Sequence, residues 1–60
     1  MTYEQKLKQI MQLEDRNAVW LSKKLDCSHT LCYNWLRFRS VVSDRYKIKI
    51  RSIFGAKYGI

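Results

Sequence analysis

Neither proline nor glycine occurs before residue 55 of this 60-residue chain; its only two glycines are Gly55 and Gly59. Tight hairpin turns call for Gly, Asn-Gly or similar pairs at positions of positive φ. A chain without them is expected to fold as helices joined by short polar turns, and the fold class expected here is all-α.

Apolar spacing and capping residues place the helices. Thr2 can cap a first helix over about Tyr3 to Leu13, whose inward residues are Tyr3, Leu7, Ile10 and Met11, with Leu13 a further candidate. The polar run EDRN breaks it. Asn17 can cap a second helix, Ala18 to about Leu25, with Leu21 and Leu25 inward and Ala18 and Trp20 flanking. Asp26 interrupts, and Ser28 can cap a third helix from His29 to about Phe38. There Leu31, Cys32, Trp35 and Leu36 turn inward, while His29, Thr30, Tyr33, Asn34 and Arg37 face away. After the loop RSVVS, Ser43 and Asp44 open a fourth segment, Arg45 to Phe54, closed by Gly55. YKIKIR alternates like a strand, but Tyr46, Ile50, Ile53 and Phe54 make a longer helical stripe, so helix is the reading chosen. The core is expected over about residues 3–54. The tail AKYGI offers no evident internal partner for Tyr58 or Ile60.

Size and charge narrow the function. A chain of 60 residues makes one domain, buries only about 60% of its unfolded surface, and has little room for an enclosed active-site cleft. Twelve Lys and Arg against five Asp and Glu leave a net charge of +7. A small domain this basic is drawn to polyanions. Only one acid, Asp44, lies beyond residue 26, where seven of the twelve bases are found. The second half is therefore the side expected to meet phosphate. MTYEQKLKQ does not read as a signal peptide, no apolar run approaches a membrane span, and two cysteines make no disulfide framework. A cytoplasmic protein with reduced thiols is the expectation.

The stretch LSKKLDCSHTLCYNWL carries a resemblance. Its two short helices and tight turn resemble the helix-turn-helix of the Cro/C1-type (XRE-like) repressors of phages and mobile elements, whose pattern is approximately L-A-x-x-L-G-V-S-x-x-T-I-S-x-W. Leu21 and Ser22 stand at its L-A, Leu25 at the next Leu, and Asp26 at the turn Gly. Cys27 stands at the buried Val, Ser28 at the Ser that opens the recognition helix, Cys32 at the buried Ile and Trp35 at the Trp. Ser22 is small enough for a close helix crossing, and Cys32 and Trp35 supply the apolar knobs. Asp26 departs from Gly, but tolerates positive φ better than most residues. Leu31 replaces Thr, and the usual fifth helix is missing or reduced to AKYGI.

The resemblance implies a lambda-repressor-like fold of four, at most five, helices and a single DNA-binding domain spanning the chain. The third helix, about residues 28–38, would enter the major groove, with His29, Thr30, Tyr33 and Asn34 toward base edges. Asn34 can bind adenine bidentately, and His29 can donate to a guanine acceptor. Asn17, Lys23, Lys24, Ser28, Arg37, Arg39, Arg45 and Lys47 would hold the DNA backbone. A pseudo-palindromic operator read by a homodimer, weak in solution, with half-sites about 10 bp apart, is the matching partner.

Other chemistries fit the residues less well. Cys27, His29 and Cys32 supply three zinc ligands where a structural site needs four, so no metal or other cofactor is expected. Cys–His catalysis would need a cleft and an orienting group, so no enzyme is expected. KIKIRSIFGAKYGI can be drawn as a membrane-surface helix, yet its apolar stripe is better used closing the core. Two binding alternatives stay open. One is a small phage-type protein that captures another protein, suggested by Trp20, Tyr33, Tyr46, Phe54 and Tyr58. The other is a non-specific architectural DNA binder.

Overall fold

A computed structural model describes residues 1–60. It consists of four helices: α1 Tyr3–Leu13, α2 Ala18–Leu25, α3 His29–Leu36 and α4 Asp44–Tyr58. YKIKIR lies wholly within α4.

Three of the four helices start at side-chain caps. Thr2 Oγ1 accepts from the Gln5 N–H at 3.1 Å while Gln5 Oε1 accepts from the Thr2 N–H at 2.9 Å, a capping box that satisfies two orphan donors. Asn17 Oδ1 accepts from the Trp20 N–H, and Ser28 Oγ from that of Thr30. Ser43 precedes α4 with extended backbone and no side-chain cap bond.

The ends of the helices show how a chain without early glycine stops them. Asp15, Asp26 and Phe38 lie at φ 54°, 54° and 61°. Each sits just beyond a helix, where left-handed backbone lets N–H groups turn back onto the last carbonyls. After α3 the Phe38 N–H donates to Trp35 O at 3.1 Å and the Arg39 N–H to Asn34 O at 2.9 Å. Asp tolerates this region; a bulky aromatic there is an outlier. This stop ends α3 at Leu36, two residues before the expected Phe38.

Leu7, Ile10 and Met11 of α1, Ala18, Leu21 and Leu25 of α2, Cys32 and Trp35 of α3, and Ile50 and Phe54 of α4 converge on one core. Val42, from the loop before α4, joins it. Its N–H donates to Glu4 Oε2 at 3.0 Å, which spares a loop amide from burial without a partner. Leu13, a candidate inward residue, is 67% exposed instead, since at 3.6 residues per turn it lies well round α1 from the stripe of Leu7, Ile10 and Met11.

The fourth helix departs most from expectation. It runs through Gly55 to Tyr58, and Gly59, at φ 66°, is the residue that ends it. A helical glycine costs about 1 kcal/mol relative to alanine. Contacts on both sides of Gly55 offset that. Phe54 is buried, the Tyr58 ring meets it edge-on at 6.1 Å, and Tyr58 Oη donates to Glu14 Oε2 at 2.8 Å. Ile60 is partly buried against the core. Residues 55–60 are therefore part of the packed structure, and Tyr58 and Ile60 do have internal partners.

Candidate nucleic-acid interface

The pair α2–α3 is built by its small and left-handed residues. Ser22 is buried, and its Oγ donates to Val19 O at 2.7 Å, so a polar group lies at the helix contact without an unmet bond. Asp26 turns the chain at φ 54°, and the Cys27 N–H returns to Ser22 O at 3.0 Å. Only residues 26–28 separate the helices. Cys32 and Trp35 are 0% and 1% exposed. The Trp35 ring meets Tyr46 of α4 at 5.3 Å. The inner side of α3 thus packs against α2 and α1, and Trp35 reaches α4 through Tyr46.

Its outer side is open. Thr30, Tyr33, Asn34 and Arg37 follow at spacings of three and four, which places them on one stripe of a helix. Thr30, Tyr33 and Arg37 are exposed; Asn34 is half-buried at the stripe's edge, less open than expected. His29 is exposed at the first position of the helix. Ser28 Oγ accepts the Thr30 N–H at 3.2 Å, which leaves its hydroxyl proton free to donate to an anion. Asn17 is engaged in the same way at α2: its carbonyl oxygen caps Trp20 at 2.9 Å, and its NH₂ is left to donate outward.

Arg37 and Tyr33 form a unit. The guanidinium donates through Nη1 to Tyr33 Oη at 2.6 Å and lies 5.1 Å from the ring centre. The contact holds a cation over the outer face of α3. Arg39, exposed in the loop that follows, continues the positive charge beyond the helix.

The remaining basic residues divide. Lys23 is exposed in the last turn of α2. Lys24 leans back, its Nζ 5.7 Å from the Trp20 ring, which Arg16 also covers at 4.8 Å. Arg45 is exposed at the start of α4, 5.8 Å from the Tyr46 ring. Lys47 points the other way: its Nζ lies 3.8 Å from Asp44 Oδ1 and 5.0 Å over Tyr3 of α1. The structure therefore brings Tyr33 and Arg37 together with Thr30 and Asn34, and sets Lys24 and Lys47 against other aromatic rings.

One basic residue escaped the sequence reading. Lys49 Nζ donates to Leu25 O at 3.2 Å, so α4 places a cation at the C-terminal end of α2, beside the turn into α3. A cation there complements the negative end of the helix dipole. Its spacing of four from Arg45 was the available signal.

Among the acids, Asp26 is exposed at the turn into α3, while two others are engaged away from this face. Glu4 accepts from Val42 and Glu14 from Lys57 and Tyr58. A surface cleft of about 300 Å³ opens elsewhere, between the start of α1 and residues 38–41, and of the candidate residues only Arg39 lines it. No three His, Cys, Asp or Glu side chains gather as metal ligands would, and no helix is long and apolar enough to cross a membrane. Compared with known protein families, curated proteins and solved structures, the chain matches none.

Proposed function

We propose that the chain is a sequence-specific binder of duplex DNA, a helix-turn-helix regulator of the phage-repressor kind, with α3 as its recognition helix. The carrying observation is the two-sidedness of α3: Cys32 and Trp35 buried in the core, and Thr30, Tyr33 and Arg37 exposed beside Asn34. A short helix fixed from behind, with hydrogen-bonding side chains in front, can present them to base edges in the major groove. A charge of +7 in 60 residues supplies the attraction to phosphate. Thr30, Tyr33, Asn34 and His29 are the base-reading set. Ser28, Asn17, Lys23, Arg37, Arg39 and Arg45 are the backbone-holding set, joined by Lys49.

The size of the domain bears on how it would bind as a dimer. It measures 25 × 24 × 23 Å, whereas half-sites one helical turn apart lie about 34 Å from centre to centre. Two copies centred that far apart would share little or no interface, and pairing would depend on the DNA.

Selection from a random duplex library at two salt concentrations tests the reading. An enriched motif with dyad symmetry is the expected result. Retention without enrichment, lost steeply in salt, would mean an architectural binder. No retention at either salt would overturn DNA binding and leave the protein-capture alternative.

A further inference from the structure

The two cysteines of the chain touch. Cys27 Sγ and Cys32 Sγ lie 3.4 Å apart across the entry to α3. Cys27 immediately precedes the Ser28 cap, and Cys32 is the fourth residue of the helix. These are the positions at which two apolar side chains staple a helix start and fix the angle at which the chain enters it. Any aliphatic pair can do that. Here both positions are thiols, and they are the only two in the sequence.

They are unequal. Cys27 is partly exposed and Cys32 is fully enclosed. Burial first, then contact with Cys27, push the Cys32 thiol up to about 12. Cys27 is therefore the thiol a dissolved oxidant reaches, and Cys32 can act only from behind it.

We propose that Cys27 and Cys32 form a reversible intramolecular disulfide on exposure to a small disulfide of the glutathione class, and that its closure moves the first turn of α3. In the first step the Cys27 thiolate attacks one sulfur of the oxidant. That S–S bond breaks, a new one forms to Cys27, and one glutathione leaves as thiolate and takes a proton from solvent. In the second, Cys32 sulfur attacks Cys27 Sγ as its proton passes to the departing second glutathione. Two protein thiols are oxidised and one glutathione disulfide is reduced to two thiols.

A sulfur–sulfur bond is about 2 Å long, so the two atoms must approach by more than an ångström. Cys32 is held among core residues, so Cys27 and the turn do the moving. Ser28, His29 and Thr30 follow directly on Cys27. That the movement weakens DNA binding rests on the reading above; that the bridge forms does not.

The experiment is to equilibrate the full chain in glutathione buffers of rising disulfide fraction, quench with an alkylating reagent, and weigh the intact protein. The expected product is a monomer lighter by two hydrogens, with both alkylation sites lost together. Cys32→Ala should stop at a glutathione adduct on Cys27, and Cys27→Ala should stay unmodified while folded. Wild-type protein that halts at the adduct, links into dimers, or keeps both thiols free overturns the bridge. Duplex retention of the reduced and bridged forms is then compared, with a loss of about tenfold expected, the size of one good base contact. Equal retention of the two forms overturns the coupling to α3. Reduced protein that retains no duplex sinks the DNA reading and leaves the mass result standing.

Discussion

Arg37 donates to Tyr33 Oη at 2.6 Å with its guanidinium 5.1 Å above the same ring. This i, i+4 pair fixes a cation one turn beyond the centre of α3, where a backbone phosphate would flank a helix lying in the groove. Arg37→Ala should weaken binding to all duplexes alike and reduce the salt slope by about one. Tyr33→Phe keeps the ring and removes the hydrogen bond, so it should leave the slope unchanged and lower affinity by less. Salt titrations of the two variants on matched and unrelated duplexes decide this. A sequence-dependent loss on Arg37→Ala would make it a base reader instead.

Asn34 differs from its neighbours on the stripe because it is half-buried, at the edge between the outer face and the core. Partial burial limits its rotamers, which suits a bidentate contact that depends on orientation. Asn34→Ala should cost about 1–3 kcal/mol on the preferred site and relax selection at one base pair. Repeating the library selection with the variant reads this directly. An unchanged motif would remove Asn34 from the base-reading set.

The turn between α2 and α3 carries an avoidable cost. Asp26 is exposed at φ 54°, in a region where any residue with a Cβ is disfavoured relative to glycine. Asp26→Gly should stabilise the domain by up to about 1 kcal/mol and, by removing a negative charge beside the entry to α3, raise DNA affinity as well. Thermal unfolding followed by circular dichroism checks the first effect and a duplex titration at low salt the second. A lower melting temperature would show that the Asp26 side chain contributes to the turn.

Much of this arrangement was legible in local signals. Thr2, Asn17 and Ser28 each precede an apolar stripe, and each accepts a backbone N–H as a cap. Cys32 and Trp35 fall inward because helical spacing puts them opposite Thr30 and Tyr33. What escaped reading depends on distant partners. Gly55 carries the same stop signal as Gly59, and α4 passes it with Phe54 in the core and Tyr58 bonded to Glu14, more than forty positions away. Val42 lies in an aperiodic loop, so nothing local marks it as core. Lys47 and Lys49 are alike in sequence; the rotation of α4 sends one toward Tyr3 and the other to Leu25 O. The two thiols were each readable as small and buried, but their contact emerges only once Ser28 is known to start α3.

The end of α4 supplies a pH dependence of definite sign. Tyr58 Oη and Lys57 Nζ both donate to Glu14 Oε2, at 2.8 and 3.1 Å. Those bonds, the one from Tyr58 first, hold the Glu14 carboxyl below its ordinary value of 4.5. The same bonds to Glu14 raise Lys57 above 10.5 and Tyr58 above 10.0. A carboxylate with a depressed folded value stabilises fully above its unfolded value, and the contribution is lost as pH falls through the folded one. For Lys57 and Tyr58, whose folded values are raised, the contribution is complete below the unfolded values and is lost as pH rises through the folded ones. The cluster should therefore contribute evenly from about pH 5 to pH 9 and fade at either end. Glu14→Gln isolates it. The stability difference between wild type and the variant, small because the groups are solvent-screened, should stay constant across the plateau and shrink below pH 4.5. Protection of the amides of residues 55–58, measured against the intrinsic exchange rate at each pH, should fall over the same acid range in wild type, and be lower and independent of pH over that range in the variant. Protection there that ignores both the substitution and the pH would mean that Phe54 packing alone carries α4 past Gly55.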